Sequence, residues 1–488
     1  MSEEILINVT PRETRTALLE NGVLEEIHIE RSSRRGLVGN IYKGRILRVL
    51  PGMQAAFVDA GLERSAFLHA SDISRAVYSE AEPEPPTAPD IRDLVHEGDE
   101  LLVQVLKDPL GSKGARLSTR IGIPSRYLVY VPGGDHIGVS MRIDDPGERE
   151  RLSACVAQFR APDDGGYIVR TAGEGAPPEA LRADMLFLQK LWEAVRRQGA
   201  AASAGTLVHE DLPLPLRVLR DFLGAEVEQV RVDSEATYRR MREFARMFLP
   251  EFADRIALYA GSRPIFDLYG VEDEIDRALD RKVALKSGGY LVIEQTEAMT
   301  TIDVNTGAYV GYRNLEETVL KTNLEAAQAI ARQLRLRNLG GIIIIDFIDM
   351  KDTDHRQLVL EALEKSLARD HARTRLNAIS PLGLVEMTRK RTHESIEHVL
   401  CQPCPTCAAR GSIKTPETVC YAIFREILRQ ARAFDVQELR VLAPQDVIDL
   451  LLDQESEGLA ELEAVIGKPI RLQAEQLYGP GQFDVVPV

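Results

Sequence analysis

Four consecutive isoleucines at 342–345, preceded by Gly340-Gly341 and followed by Asp346-Phe347, constrain this chain more than any other stretch. A β-branched run of that length, bounded by glycine, reads as a buried strand. Two similar runs precede it: Gly-Gly-Tyr-Leu-Val-Ile-Glu at 288–294 and Thr-Thr-Ile-Asp-Val-Asn at 300–305. Between the second run and the isoleucines, Leu320, Leu324, Ala327, Ala331 and Leu334 recur at helical spacing. That predicts a helix over 315–338, stopped by the glycine pair. Side chains alternate along a strand, so Asp303 and Asn305 share a face. Asp346 ends the isoleucine run, where an α/β sheet presents its site. Two carboxylates and an amide oxygen can then converge as hard oxygen donors of the kind Mg²⁺ takes. The competing reading is that each aspartate caps a strand end or turn, and spacing alone does not separate the two.

The 488 residues allow roughly three domains with ample core. Hydrophobic residues at 44% and charged residues at 28% are ordinary for a globular protein. A net charge of −15 argues against a chain coated in basic charge, but a local basic patch can still meet nucleic acid. No apolar run approaches membrane-spanning length, and Met-Ser-Glu-Glu-Ile does not start a signal peptide, so a cytoplasmic location is expected. Of five cysteines, Cys401, Cys404 and Cys407 are bunched, which suggests metal rather than a disulfide framework.

Residues 4–30 read as a hairpin turning at Asn21-Gly22. So few strands form no core alone, so they must pair with strands much later in the chain. The residues after this hairpin are then an insertion. Over 36–120, short strands and frequent turn glycines suit a small barrel. Phe57, Phe67 and His69, with Lys43, Arg45, Arg64, Lys107 and Lys113 near them, have the mix a single-strand platform needs. Taken singly, Phe57 and Phe67 are equally good core residues. The acidic, proline-rich 80–97 segment is a solvated loop. Residues 121–212 form a separate small α/β unit, with a strand at 167–171 and helices over 178–198. In it, Arg170 beside Thr171 at a tight turn can grip a terminal phosphate, or is simply an exposed arginine at a strand end. From 213 to 280 the pattern alternates strand and helix and can supply the partners for residues 4–30. The run Arg389-Lys390-Arg391 comes soon after the candidate site, although a charge run is usually a solvated face.

These motifs together resemble the ribonuclease E/G family of bacterial endoribonucleases. The resemblance rests on Thr301-Ile302-Asp303-Val304-Asn305-Thr306-Gly307, Gly341-Ile342-Ile343-Ile344-Ile345-Asp346-Phe347, Val169-Arg170-Thr171-Ala172-Gly173 and Cys404-Pro405-Thr406-Cys407, in collinear order. It implies a multidomain α/β chain. A split RNase H-like domain occupies 1–35 and 213–279. Inserted in it are an OB-fold (S1-type) RNA-binding barrel at 36–120 and a 5′-sensor at 121–212. A DNase I-like catalytic domain at 280–400, a zinc link at 401–414 and a small C-terminal domain at 415–488 complete the chain. The chain matches the shorter members of the family, those without a long disordered scaffold.

Roles carry over by motif. The resemblance makes Asp303 and Asp346 the Mg²⁺-binding, catalytic carboxylates, with Asn305 supporting them. It makes Arg170 and Thr171, with Val129 lining the pocket, the holders of a 5′-monophosphate. Ser140-Met141-Arg142 departs from the two successive arginines of the family, implying one fewer basic contact there. Phe57, Phe67 and Lys113 become RNA contacts, and Cys404 and Cys407 zinc thiolates. The implied reaction is Mg²⁺-dependent cleavage of single-stranded A/U-rich RNA, precursor rRNA and mRNA included, leaving a 5′-phosphate. A non-catalytic RNA-binding scaffold and an enzyme acting on DNA or small phosphates are the rivals. One CxxC is half of a tetrahedral zinc site. A homodimer sharing one Zn²⁺ through Cys404 and Cys407 of both chains is therefore expected, with pairing of dimers left open. A single-chain site using His393 and His398, or a redox-active CxxC, are the alternatives.

Overall fold

The computed structural model describes residues 2–73, 90–109, 114–161, 164–223, 226–307, 315–391, 393–434 and 437–488. The chain forms two compact units, Met1–Ile396 and Glu397–Val488.

Within the first unit, the isoleucine run lies in a six-stranded sheet. Its order is Lys282–Ala284, Tyr290–Gln295, Met299–Asn305, Gly341–Asp346, Leu384–Arg389, Thr374–Leu376. Only Met299–Asn305 and Gly341–Asp346 run parallel. A parallel pair needs a crossover, and the helix Leu315–Leu336 supplies it. Ile343 and Ile345 are fully buried against Ala327, Ile330 and Leu334 of that helix, whereas Ile342 is 47% exposed. The run is therefore covered on one face only. The helix also ends earlier than the glycine pair suggests. Asn338 takes the left-handed conformation (φ 49°), and the Leu339 N–H closes back on the Leu334 carbonyl at 3.0 Å. Gly340 has a different job, since a Cβ there would lie 2.9 Å from the Arg391 backbone.

The N-terminal strands Glu3–Val9, Glu13–Glu20 and Val23–Arg31 form a meander rather than a single hairpin. As expected, the first pairs with a distant segment. Ile5 stands beside Val230 in the parallel strand Val227–Val232, which in turn pairs with Ile256–Leu258. The intervening chain builds the barrel. Ile41–Leu50, Ala55–Asp59, Ala66–His69, Arg116–Ser118 and Glu100–Lys107 pair in that order, and the last returns to the first, closing five strands. Closure leaves none of the five as a free edge. Next comes a four-stranded sheet ordered Ile137–Val139, Gly166–Val169, Leu128–Val131, Ile123–Pro124, packed on the helix Pro178–Ala201.

In the second unit, the strands Ile470–Ala474, Leu439–Ala443 and Asp484–Pro487 form a mixed sheet. The helices Pro416–Ala433, Gln445–Leu452 and Ser456–Ile466 pack with it around Ile423, Val441 and Leu451.

Candidate active site

The registers of the parallel pair bring Asp303 directly opposite Asp346, at the ends of neighbouring strands. Both side chains are exposed. Asn305 lies two residues on, on the same face, and its Nδ2 donates to Asp303 Oδ2 at 2.8 Å. The amide nitrogen, not the oxygen expected from the sequence, therefore faces the carboxylate. It thereby ties down the Asp303 side chain. The glycines around Asn305 are structural requirements: a Cβ on Gly289 would sit 2.6 Å from the Asn305 carbonyl oxygen. Burial, then the charge of Asp303, then that of Asp349 push the Asp346 carboxyl above its ordinary pKa. Like charges face each other at this end of the sheet.

Among the described residues, no three His, Cys, Asp or Glu side chains close on one point as a finished metal centre. The arrangement at Asp303 and Asp346 is a pair of hard oxygen donors open to solvent. That fits Mg²⁺, which usually takes one or two carboxylates and completes its shell with water and substrate phosphate.

Two neighbouring features were not legible in the sequence. Asn323, fully buried on the crossover helix, donates to the Ile348 carbonyl at 2.8 Å and accepts from the Ile348 N–H at 3.1 Å. It thereby clamps the turn between Asp346 and Asp349. Arg389, which the sequence placed in a basic run, is no solvated charge. Its Nε and Nη2 meet the Asp370 carboxylate at 2.6 and 3.0 Å, and its Nη1 meets the Asn338 side chain and the Leu339 carbonyl. It stands opposite Gly341 in register and braces the start of the isoleucine strand, at the other end from Asp346.

The expected phosphate pocket is occupied by internal pairing. Val129 is half-buried, paired with Ile168 across the four-stranded sheet. Arg170 comes directly after the strand Gly166–Val169 and gives Nη1 to the Ser125 carbonyl and Nη2 to Asp221, both at 2.6 Å. Burial alone would raise the Asp221 pKa, but Arg220 and then Arg170 hold it below the usual value. Thr171 is exposed, with its hydroxyl 3.0 Å from that of Ser140. Arg142 reaches away from this corner, donating to the Asp370 and His371 carbonyls at 2.7 and 2.9 Å.

On the barrel, Phe57 pairs with Phe67 across adjacent strands, their ring centroids 6.4 Å apart. His69 lies 6.4 Å further along the same face. Phe57 is 36% exposed, so it is not a core residue. Arg48 stands opposite Phe57 in register and is exposed, a neighbour that alternation along the strand could have identified. Arg45 is bound to Glu100 at 2.8 Å. Lys113 lies outside the described residues, as does most of the acidic 80–97 segment.

In the second unit, Cys401 and Cys404 are exposed, Cys407 is half-buried, and none is disulfide-bonded. Backbone N–H groups of Cys407 and then Thr406 hold the Cys404 thiol below its usual pKa, which favours the thiolate that metal needs. The pair precedes the first long helix of the unit by several residues, so it is not at the strand-to-helix turn of a redox CxxC. His393, in the first unit, is partly open to solvent, and its ring packs beside that of His28, their centroids 5.2 Å apart.

A closed barrel with an exposed aromatic platform and an α/β sheet with paired carboxylates define a class: enzymes that process nucleic acid. Comparison with known proteins narrows it. The model of the Ribonuclease E/G family matches residues 122–392, that of the S1 RNA binding domain 37–120, and that of the RNase E/G thioredoxin-like domain 403–487. The chain is 56% identical over 488 residues to Ribonuclease G of Salmonella typhimurium (strain SL1344), covering all of both proteins. It is 54% identical over 486 residues to Ribonuclease G of Haemophilus influenzae, covering 99% of each. It is 37% identical over 463 residues to Ribonuclease E of Escherichia coli (strain K12), of which it spans 44%. The chain belongs to the ribonuclease E/G family and is an endoribonuclease.

Proposed function

We propose that this endoribonuclease hydrolyses single-stranded, A/U-rich RNA in a Mg²⁺-dependent reaction, prefers 5′-monophosphorylated ends, and leaves a 5′-phosphate and a 3′-hydroxyl. The observation that carries the reading is the placement of Asp303 opposite Asp346 at the open end of a parallel strand pair. Bound there, Mg²⁺ would lower the pKa of an attacking water and offset charge on the scissile phosphate. Asp303 and Asp346 are the residues that would hold it, and Asn305 ties down the Asp303 side chain. Exposed Phe57, with Phe67, offers rings on which bases stack without strong sequence preference, and Arg48 and Lys113 are assigned to backbone phosphates. Arg170, Thr171 and Val129 are assigned to the 5′-phosphate. To serve there, the Arg170 guanidinium must share its charge between Asp221 and the incoming phosphate.

The wider reading keeps the RNase H-like description for 1–35 with 213–279, supported by the Ile5–Val230 pairing, and the DNase I-like description for 280–400. A zinc link at 401–414 would join two chains through Cys404 and Cys407, supported by the depressed Cys404 thiol. Among the described residues no helix is long and apolar enough to cross a membrane, and a cytoplasmic role in rRNA processing and mRNA decay suits the substrate class.

One assay tests the core of this reading. An A/U-rich oligoribonucleotide, 5′-monophosphorylated or 5′-hydroxyl, is incubated with and without Mg²⁺, beside its deoxyribose twin. Cleavage of the ribose strands only, only with Mg²⁺ and faster with the phosphate, is expected. Metal-independent cleavage, or equal cleavage of the DNA, overturns it.

A further inference from the structure

Asp346 and Asp349 are separated by a turn, Phe347-Ile348, that contains no proline to stiffen it. One buried side chain holds it. Asn323 is fully buried on the helix Leu315–Leu336 and commits its whole amide to Ile348: Nδ2 on the carbonyl, Oδ1 on the N–H. A buried amide in a helix interior is a costly choice where an apolar residue would pack. The neighbouring Thr322 packs on the other side of the site, 3.1 Å from where a Gly289 Cβ would stand, next to the Asn305 carbonyl. One turn of helix thus backs both strands that present Asp303 and Asp346. On the far side of the turn, Asp349 is exposed and lies close to Gly383, whose Cβ would be 3.7 Å from Asp349 Oδ1. The Asp349 carboxylate has no hydrogen-bond or ion-pair partner among the described residues, and its charge reaches Asp346. Yet Asp303, Asp346 and Asp349 do not close as three direct ligands of one ion. Asp349 is therefore a charged neighbour of the pair and not a third direct ligand.

We propose that Asn323 is a positioning residue of the carboxylate site, and that the group it positions, beside Asp346, is Asp349, an outer carboxylate accepting from water on the bound divalent cation. The inference rests on the Mg²⁺ reading above. Outer partners of this kind orient what the direct ligands hold, and losing one typically costs about 10–100-fold in metal affinity or activity.

The test compares wild type, Asn323→Ala and Asp349→Asn in three measurements. They are the Mg²⁺ concentration for half-maximal cleavage, the affinity of RNA-free protein for Mn²⁺ from loss of its free-ion EPR signal, and RNA affinity in EDTA. Both variants should need about tenfold more Mg²⁺ and bind Mn²⁺ about tenfold more weakly. RNA affinity in EDTA should stay within about twofold of wild type, because the barrel is untouched. Should Asn323→Ala fail to fold, Asn323→Ser, which retains a hydroxyl, replaces it with the same expectation. Asp349→Asn is on the surface and removes no internal bond. If both variants titrate Mg²⁺ and Mn²⁺ as wild type does, or if only RNA affinity and melting change, the inference is wrong. If wild type itself cleaves without a divalent ion, the Mg²⁺ reading has failed first.

Discussion

Arg170 and Asp221 are joined at 2.6 Å, and the same aspartate accepts from Arg220 through Nε at 3.0 Å and Nη2 at 2.9 Å. Removing Arg170 therefore leaves Asp221 paired, so the fold should survive the change. Arg170→Ala should slow cleavage of 5′-monophosphorylated RNA by about tenfold and barely alter 5′-hydroxyl RNA, since only the terminal phosphate competes for that guanidinium. Rates on the two substrates check this. An equal loss on both would make Arg170 a structural strut held by Asp221.

Arg389 makes a different prediction. It is 5% exposed and meets Asp370, itself 3% exposed, through two hydrogen bonds. Truncating one partner of such a pair leaves a buried charge without compensation. Arg389→Ala should cost about 3–5 kcal/mol of stability, read from the shift in urea midpoint of the first unit. A loss below about 1 kcal/mol would mean that Asp370 finds another partner or water.

How much of this could be read beforehand depends on the range of the interaction. The strands around Asp303 and Asp346 and the crossover helix were predictable from periodicity, because their cause is local. The return of residues 3–9 to a partner more than two hundred positions away came from a different argument, that so few strands cannot stand alone. The role of Arg389 stayed open between a solvated face and the nearby site, because its partner, Asp370, comes from a preceding turn no pattern connects to it. Asn323 gave no signal at all: a single polar residue on a helix face looks solvent-facing until the helix is docked. The Asn305 amide was placed by the alternation of the strand, but which of its ends faces Asp303 is decided by hydrogen bonding in three dimensions. On the barrel, Phe57 and Phe67 could not be told from core residues until the pairing with Arg48 and the exposure of Phe57 were known.

Stability should fall in mild acid through His393. Burial, then the charges of His28 and Arg217, hold its pKa down to about 3, against an ordinary value of 6.5. The unfolded chain thus binds a proton near pH 6 that the folded chain refuses. The stability His393 protects is present above pH 6.5 and drains away as pH falls towards 3. Glu25, raised to about 7, chiefly by burial, works in the opposite sense between about 4.5 and 7. The comparison with a variant isolates the histidine. The residue is partly open to solvent, which screens the effect, so between pH 7.5 and 5.5 His393→Gln should lose less stability than wild type by under about 1 kcal/mol. Parallel losses measured by denaturant unfolding at the two pH values would contradict a ring held neutral by its surroundings.

The zinc reading of Cys404 and Cys407 predicts a stoichiometry. Wild type should carry one zinc per two chains and run as a dimer. Cys404→Ser with Cys407→Ser should lose both together, since two thiolates from each chain make one tetrahedral site. Metal analysis with solution mass decides it: one zinc on a monomer, or a dimer unchanged in the double variant, is the contrary result.

The most direct measurement is single-turnover cleavage of 5′-monophosphorylated A/U-rich RNA by Asp303→Asn at saturating Mg²⁺. Asn305 still has an oxygen to donate to after the substitution, so the local geometry should hold while one charge is removed. The account predicts a fall in the cleavage rate of roughly a thousandfold, with RNA affinity in EDTA unchanged. Cleavage at the wild-type rate would mean that the paired carboxylates at 303 and 346 are not where this enzyme does its chemistry.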